Sequence, residues 1–246
     1  MIQFFAPDIE NDGLLPEEES AHCVRVLRHK SGDRIHVTDG KGKRFLCEID
    51  EADARHTRVR IISDEILLPH WGCRITLAVA PTKNSDRMEW LFEKAVEIGV
   101  DEIVLLRCEH SERKNVNLQR LRRILVSAMK QSLKTTLPVV KDMITLKDFV
   151  ACCNTERKYF GYCDPSLPKR IFASDCRPSA DTTVMIGPEG DFSPVEVKSS
   201  LEAGFIPVSF GESRLRTETA ALFALGIVHT VNQISQTREP HCKKQE

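Results

Sequence analysis

Short segments of alternating hydrophobic and polar residues occupy the first 70 positions of the chain. Alternation with a period of two predicts half-buried β-strands, in which every second side chain faces the core. Such strands are expected at residues 3–5, 34–37, 45–49 and 57–61. Asp39-Gly40-Lys41-Gly42 lies between the second and third strands and predicts a hairpin connection. With one helix expected over residues 16–27, this region predicts a small, barrel-like β domain at residues 1–70.

The pattern changes after residue 72, where longer apolar runs alternate with segments of helical periodicity. The apolar runs predict buried strands at residues 75–80, 103–106, 158–162, 182–186 and 207–210. Helical spacing predicts helices near residues 88–99, 117–128, 146–152, 194–203 and 218–234. Strands that alternate with helices are typical of an α/β fold with a largely parallel sheet covered on both faces. We therefore predict an α/β domain over residues 73–238, followed by a disordered tail at residues 239–246.

Two glycines and a proline fill one strand-to-helix connection, Gly187-Pro188-Glu189-Gly190. Glycine has no Cβ, so the backbone can turn sharply and a ligand can approach it closely. Ser193, Pro194 and Glu196 predict the start of the next helix, as N-cap, first helical residue and capping-box partner. This loop alone fits an ordinary βα turn as well as a ligand-binding loop.

A second strand-to-helix connection, residues 210–220, also has a glycine, Gly211, at the end of its strand. Thr217 is predicted to cap the following helix. Residues 220–228 are almost wholly small or apolar, as in a helix buried in the core or against a partner subunit. Two such loops, at the ends of strands separated by one helix, predict the two walls of one pocket.

Composition and charge narrow the choice of function. The net charge of −1 gives no general attraction to nucleic acid, but residues 22–47 contain seven Lys or Arg and two acidic residues, which indicates a local polyanion contact. The nine cysteines include no Cys-x-x-Cys pair, so we expect reduced thiols in a cytoplasmic protein and no metal site. Without a signal peptide or long apolar run, we expect neither secretion nor membrane association. A P-loop is excluded, because Gly-Lys-Ser/Thr does not follow Gly187–Gly190.

The two loops together carry a family resemblance. Gly187-Pro188-Glu189-Gly190, followed by Arg214-Leu215-Arg216-Thr217-Glu218-Thr219-Ala220, resembles the SPOUT-class RNA methyltransferases. Further matches at residues 94–100, at Gln131-Ser132, and at residues 22–28 with Asp39-Gly40 narrow the resemblance to the RsmE family of 16S rRNA uracil-N3 methyltransferases. The resemblance covers nearly the whole chain. It implies a PUA-like RNA-binding β-barrel at residues 1–70 and a SPOUT domain with a deep trefoil knot at residues 73–238, in a homodimer.

The resemblance also implies S-adenosylmethionine in the two loops. Its contacts would fall on Ile186, Gly187, Pro188, Glu189, Gly190, Phe210, Gly211, Leu215, Arg216, Thr217, Thr219 and Ala220. The methyl group of a sulfonium is already electrophilic, so the reaction needs no metal, and the protein must position donor and acceptor. Uracil N3 carries a weakly acidic proton, so a base or a cation that stabilises the deprotonated ring would assist.

Glu189 and Arg216 are the candidate catalytic residues. Glu189 would face the cationic end of the cofactor or act on the substrate; alternatively it only favours the N-terminus of the next helix. Arg216 would bind an RNA phosphate or neutralise the uracil anion; alternatively it is an ordinary surface arginine.

Basic residues elsewhere are candidate RNA contacts: Arg25, Arg28, Lys43, Arg44, Lys130 and Lys134. Arg25 and Arg28 are expected on one helix face with His22, which would equally suit a solvated face. Two features depart from the family pattern. Asp191 stands where a second glycine is usual, and Lys130 and Lys134 flank Gln131-Ser132 where an acid and an arginine are expected.

The resemblance therefore implies a methyltransferase that acts on N3 of a uridine in the decoding region of 16S rRNA, in the assembled or nearly assembled small ribosomal subunit. A SPOUT ribose 2′-O-methyltransferase of tRNA or rRNA, and a non-catalytic RNA-binding assembly protein, are the alternatives. A hydrolase triad of His110, Ser111 and Glu112 is disfavoured, because proximity in sequence is poor evidence for a triad.

Overall fold

The computed structural model describes residues 2–113 and 115–238, and packing divides them into two compact units. The first unit contains the residues up to His70 together with Arg123–Leu137. The second contains Trp71–Arg122 and the described residues from Pro138 onward. The predicted tail, residues 239–246, lies outside the described residues.

Arg123–Leu137 comes from the middle of the predicted second domain but packs in the first unit. The Thr135 carbonyl accepts hydrogen bonds from the Gly42 amide at 3.0 Å and from the Thr38 hydroxyl at 3.2 Å. These contacts join residues almost one hundred positions apart. Local hydrophobic patterns contain no information about such pairings, so a boundary drawn from them does not include this segment.

The first unit contains four strands and two α-helices: β1 (Gln3–Phe5), α1 (Ile9–Asp12), α2 (Glu17–Ala21), β2 (Arg34–Thr38), β3 (Lys43–Glu51) and β4 (Arg58–Ile66). The strands form one sheet in the order β1-β2-β3-β4. β1 runs parallel to β2, and the other neighbours are antiparallel. The alternating residues Phe4, Val37, Phe45 and Cys47 point into its core, which confirms the predicted pattern.

The helix expected over residues 16–27 changes type along its length. α2 is followed by a π-helix, His22–Val26, in which the Leu27 amide donates to the His22 carbonyl at 3.0 Å, five residues earlier. Arg28 lies beyond the helix in the left-handed region, with φ 60°. The expectation that Arg25 and Arg28 share one face of a regular helix is therefore wrong, because the wider turn ends the α-helical spacing.

The second unit contains a seven-stranded sheet, all of whose neighbouring strands are parallel. The strands are β5 (Ile75–Val79), β6 (Glu102–Arg107), β7 (Val139–Thr145), β8 (Arg157–Gly161), β9 (Arg170–Ile171), β10 (Thr182–Ile186) and β11 (Ile206–Ser209). Their order is β7-β6-β5-β10-β8-β11-β9, and every residue of β5 and β10 is buried, as expected for central strands with both faces covered. The α/β fold class is confirmed.

The remaining helices are α3 (Ser85–Ile98), α4 (Leu118–Gln131), α5 (Leu146–Cys152), α6 (Phe172–Asp175), α7 (Pro194–Glu202) and α8 (Thr217–Arg238). The strand order determines where a site can form. β10, β8 and β11 are consecutive neighbours in the sheet, so the loops that follow them meet at its carboxyl edge.

Candidate functional site

A cleft of about 820 Å³ lies at the carboxyl ends of β8, β10 and β11. Three loops line it. They contribute residues 161–165 with Lys169, residues 186–189 with Asp191, and residues 208–217 with Ala220. The second and third loops are the two that the sequence predicted as opposite walls of one pocket, and the structure brings them together.

Ten of the twelve predicted cofactor contacts line this cleft: Ile186, Gly187, Pro188, Glu189, Phe210, Gly211, Leu215, Arg216, Thr217 and Ala220. Gly190 and Thr219 do not. The Gly190 carbonyl lies 3.0 Å from Nδ1 of His110, and Thr219 is exposed on α8.

The loop between β10 and α7 is fixed by its helix start. The Ser193 hydroxyl accepts from the Glu196 amide, and Oε2 of Glu196 accepts from the Ser193 amide at 2.9 Å, which confirms the predicted capping box. Oε1 of Glu196 also accepts from the Glu109 amide at 2.8 Å. Both oxygens of Glu196 are thus engaged by backbone, whereas Glu189 lines the cleft with an exposed side chain.

Asp191 has a left-handed backbone, with φ 60°. Glycine adopts this conformation most easily and aspartate tolerates it better than most residues, so the glycine expected here from the resemblance would suit the same backbone. The carboxylate is engaged on both sides: Oδ1 accepts from the Phe192 amide at 2.9 Å, and Oδ2 accepts from the Cys163 amide at 3.0 Å. Asp191 therefore joins the loop after β10 to the loop after β8.

The loop between β11 and α8 is joined to the β10 loop through Thr217. The buried Thr217 hydroxyl donates to the Gly187 carbonyl at 3.1 Å. The prediction that Thr217 caps α8 is wrong: Thr217 is the first residue of the helix, and the Ala220 amide donates to the Arg216 carbonyl at 2.8 Å. The Thr217 side chain instead joins the two loops, because its hydroxyl satisfies the buried Gly187 carbonyl. If the side chain capped the helix, that carbonyl would lose this donor.

The loop after β8 forms a third wall that the sequence reasoning missed. Gly161 ends β8, and Tyr162, Cys163 and Asp164 follow it into the cleft. Lys169 donates from Nζ to the carbonyls of Cys163 and Asp164, which holds this loop closed on itself. A glycine at a strand end, as in the two loops that were recognised, was the available signal.

The charged residues of the C-terminal motif differ in their partners. Arg214 and Arg216 are exposed, and among the described residues neither forms an ion pair with a carboxylate. The Glu218 side chain is only 8% exposed, and its Oε1 lies 3.8 Å from Nε of Arg87 on α3. Glu218 is therefore a buried, paired acid, whereas Arg216 is a cation that lines the cleft and has no carboxylate partner in the described part of the chain.

The predicted RNA contacts fall into two groups. Three have carboxylate partners: Lys43 with Glu10 at 2.7 Å, Arg44 with Glu65 at 2.7 Å, and Lys130 with Glu19 at 2.6 Å. Arg25 and Arg28 are exposed and make no ion pair within the described part of the chain, and Lys134 is half-buried. The Lys130–Glu19 pair also accounts for one departure from the family pattern, because Glu19 supplies the acid that balances Lys130.

Within residues 2–113 and 115–238, no cluster of three or more His, Cys, Asp or Glu side chains is suited to a metal. No helix in that part is long and apolar enough to cross a membrane. The eight described cysteines are free thiols.

The family model of an RNA methyltransferase domain matches residues 69–229, and that of an RNA methyltransferase PUA domain matches residues 15–62. Parallel sheet, cleft and N-terminal unit therefore define an RNA methyltransferase with a PUA domain, and the chain belongs to this family. The names of individual relatives specify the class further. The ribosomal RNA small subunit methyltransferase E of Rickettsia conorii is 27% identical over 234 residues, covering 94% of this chain and 91% of the relative. The resemblance read from the two loops is confirmed.

Solved structures agree with this assignment. A probable rRNA methyltransferase from Porphyromonas gingivalis is 47% identical, with a TM-score of 0.91, and covers 96% of this chain and 100% of its own. The ribosomal RNA small subunit methyltransferase E of Neisseria gonorrhoeae, bound to S-adenosylmethionine, is 28% identical with a TM-score of 0.78, covering 94% and 98%. The chain is thus an enzyme of the RsmE type of SPOUT methyltransferase.

Proposed function

We propose that this protein transfers a methyl group from S-adenosylmethionine to N3 of a uridine in the decoding region of 16S rRNA, within the assembled or nearly assembled small ribosomal subunit. The observation that carries the proposal is the cleft at three adjacent strand ends, which combines glycine-lined backbone with the exposed side chains of Glu189 and Arg216. Relatives named for the small ribosomal subunit, one of them with the cofactor bound, support both substrate and donor. We place the protein in the cytoplasm with this substrate.

The glycines of the cleft support a cofactor bound against backbone. A Cβ on Gly161 would lie 2.6 Å from Cε2 of Phe210, and a Cβ on Gly187 would lie 3.2 Å from Cε2 of Phe192. A side chain at Gly161 would therefore displace the Phe210 ring, whereas one at Gly187 would require the Phe192 ring to shift by a few tenths of an ångström. Both glycines line the cleft without a side chain, so a ligand can approach their backbone. We assign the adenosine contacts to this backbone and to Phe210, Gly211 and Leu215, with the other predicted cofactor residues around them.

S-adenosylmethionine supplies an electrophilic methyl group when bound, so the protein residues must position uracil N3, exclude water and balance charge. Arg216 has an exposed guanidinium with no carboxylate partner among the described residues, and it would stabilise the negative charge that develops on the uracil ring. Glu189 supplies negative charge that favours a cationic ligand, since the backbone already engages both oxygens of Glu196.

Substitution of Arg216 tests this division of roles. Arg216→Ala should lower kcat about a hundred-fold, as removal of a charge-stabilising donor does, while Kd for S-adenosylmethionine changes less than about two-fold. Arg214→Ala, at a second exposed arginine two residues away, is the matched control. Calorimetry gives Kd, and methyl transfer to small subunits gives kcat. A collapse of cofactor affinity in Arg216→Ala would contradict the assigned role.

Arg25 and Arg28 are proposed as RNA contacts of the N-terminal unit, because their charges are not compensated by carboxylates of the described chain. An arginine that contacts a phosphate releases about one counterion, so each Arg→Ala change should reduce the slope of log K against log salt by about 1. Lys43→Ala is the matched control, since its charge is paired with Glu10. Equal slopes for all three variants and the parent would contradict this assignment.

We propose a homodimer that buries apolar side chains of α3 and α8. These helices pack against each other, and Trp90, Phe223 and Ile234 are each about half exposed on them. Exposed large apolar side chains of this kind mark interaction surfaces. Light scattering should give twice the chain mass for the parent and a shift toward one chain mass for Phe223→Glu. A parent protein of one chain mass would contradict the dimer.

A further inference from the structure

Two residues hold the loop between β10 and α7 from opposite sides. On one side, Nδ1 of His110 lies 3.0 Å from the Gly190 carbonyl and 3.0 Å from the Asp191 carbonyl. On the other side, Oδ2 of Asp191 accepts from the Cys163 amide at 3.0 Å. The loop that supplies Gly187, Pro188 and Glu189 to the cleft is thereby tied both to the loop after β6 and to the loop after β8.

The direction of the His110 contacts follows from their chemistry. Carbonyl oxygens only accept hydrogen bonds, so Nδ1 must carry the hydrogen and donate to both of them. The two carbonyls also hold the pKa of the His110 imidazole above its usual range, the Asp191 carbonyl more than the Gly190 carbonyl, with a smaller contribution from the carboxylates of Glu109 and Glu196. The His110 ring thus serves as a fixed donor to the backbone, a role consistent with disfavouring the hydrolase triad.

The Asp191 contacts distinguish this residue from the glycine that the family resemblance leads us to expect at its position. The left-handed backbone, with φ 60°, is a conformation that glycine adopts without steric cost, so aspartate is the less favourable residue for the backbone alone. Its carboxylate offsets this cost by accepting from the amides of Phe192 and Cys163, two contacts that a glycine lacks.

We propose that His110 and Asp191 are positioning residues for the cofactor site, which hold the loop between β10 and α7 in the conformation that binds S-adenosylmethionine. The inference rests on the proposed function of this cleft. Neither residue needs to touch the cofactor: His110 acts through the carbonyls of Gly190 and Asp191, and Asp191 acts through the amide of Cys163.

Asp191→Gly distinguishes between two explanations: the Asp191 carboxylate holds the loop, or the loop merely tolerates an aspartate at this position. If Asp191 only tolerates the left-handed backbone, glycine relieves strain, and cofactor affinity stays equal or rises. If its carboxylate holds the loop, Asp191→Gly raises Kd for S-adenosylmethionine about ten-fold, the effect of a lost hydrogen bond to a charged group. One calorimetric measurement on the full chain therefore decides between them: an unchanged or lower Kd would overturn the proposal, and a Kd raised about ten-fold is the expected result.

His110 is tested by loss and rescue. His110→Ala removes the donor and should raise Kd several-fold, while His110→Asn places an amide N–H near the position of Nδ1 and should restore most of the affinity. His56→Ala, at an exposed histidine of the N-terminal unit, is the matched control and should not change Kd. A His110→Asn variant that binds as weakly as His110→Ala would overturn the role of the donor.

Hydrogen exchange keeps the test independent of the cofactor. In the ligand-free protein, the amides of Cys163 and Phe192 should exchange at least several-fold faster in Asp191→Gly than in the parent, because their acceptor is gone. Unchanged exchange together with unchanged Kd would overturn the proposal. If the parent protein failed to bind S-adenosylmethionine, the proposed function would fail, and the exchange rates would still decide whether Asp191 holds the loop.

Discussion

Thr217→Val removes one hydroxyl and little else, and that hydroxyl joins two walls of the cleft. Thr217 is 6% exposed, and its Oγ1 donates to the Gly187 carbonyl at 3.1 Å. Valine fills nearly the same space, so the change tests the hydrogen bond more than the packing. Its loss leaves the Gly187 carbonyl with no side-chain donor in a buried position.

The expected loss in the free energy of unfolding follows from the burial of the Gly187 carbonyl. An unsatisfied buried polar group costs about 1–3 kcal/mol, which is a substantial part of a total free energy of unfolding of about 5–15 kcal/mol. Since the bond holds the Gly187 loop against the start of α8, part of the same energy should appear in cofactor binding. We expect the free energy of unfolding to fall by about 1–3 kcal/mol and Kd for S-adenosylmethionine to rise between two-fold and ten-fold.

Thr230→Val is the matched control on the same helix. The Thr230 hydroxyl also donates to a glycine carbonyl, that of Gly226 at 2.8 Å, but within α8 and in contact with solvent. Water replaces such a contact, so the expected change in stability is within about 0.5 kcal/mol. Urea unfolding and calorimetry on both variants provide the comparison. Equal effects of the two substitutions would refute the claim that Thr217 holds the cleft together.

Three further predictions concern packing, a buried ion pair and a thiol. Gly161→Ala places a Cβ 2.6 Å from Cε2 of Phe210, so we expect a loss of about 1–3 kcal/mol in urea unfolding and weaker cofactor binding in calorimetry; unchanged values would contradict this packing. Lys130→Met leaves Glu19 without its cation in a site where both side chains are less than 20% exposed. Lys130→Met should lower the free energy of unfolding by about 2–4 kcal/mol, and the additional change Glu19→Gln should restore most of that loss. Additive losses of stability in the double variant would argue against the ion pair. Burial raises the pKa of the Cys47 thiol to about 11, so iodoacetamide at pH 8 should leave it unlabelled in peptide mass spectra of the folded protein; labelling as fast as in urea would contradict its burial.

Five of the seven strands of the parallel sheet and two of the three cleft loops were predictable because their residues follow local physical rules; the edge strands β7 and β9 were not predicted. Buried parallel strands need continuous apolar runs, as in β5 and β10, and loops that approach a ligand closely need glycine, as at Gly187 and Gly211. The capping box from Ser193 to Glu196 is a pattern of adjacent residues, and the structure has it.

The remaining features depend on contacts between distant residues. The Lys130–Glu19 pair joins positions 111 residues apart, and the Asp191–Cys163 contact joins two loops separated by β9, α6 and β10. Neither leaves a periodic signal in the sequence. The π-helix at His22–Val26 differs from an α-helix by one residue in its hydrogen bonding, which a hydrophobic pattern does not resolve. The trefoil knot expected from the resemblance stays a prediction.

Mapping the methylated atom tests the central claim most directly. Small ribosomal subunits from a strain of the host that lacks this gene are incubated with the purified protein and isotope-labelled S-adenosylmethionine, and the 16S rRNA is digested for mass spectrometry. The account predicts one labelled nucleoside, a uridine that carries the methyl group on N3 of its base, and its absence with Arg216→Ala. A methyl group on a ribose 2′-hydroxyl, or no transfer to 16S rRNA at all, would contradict it.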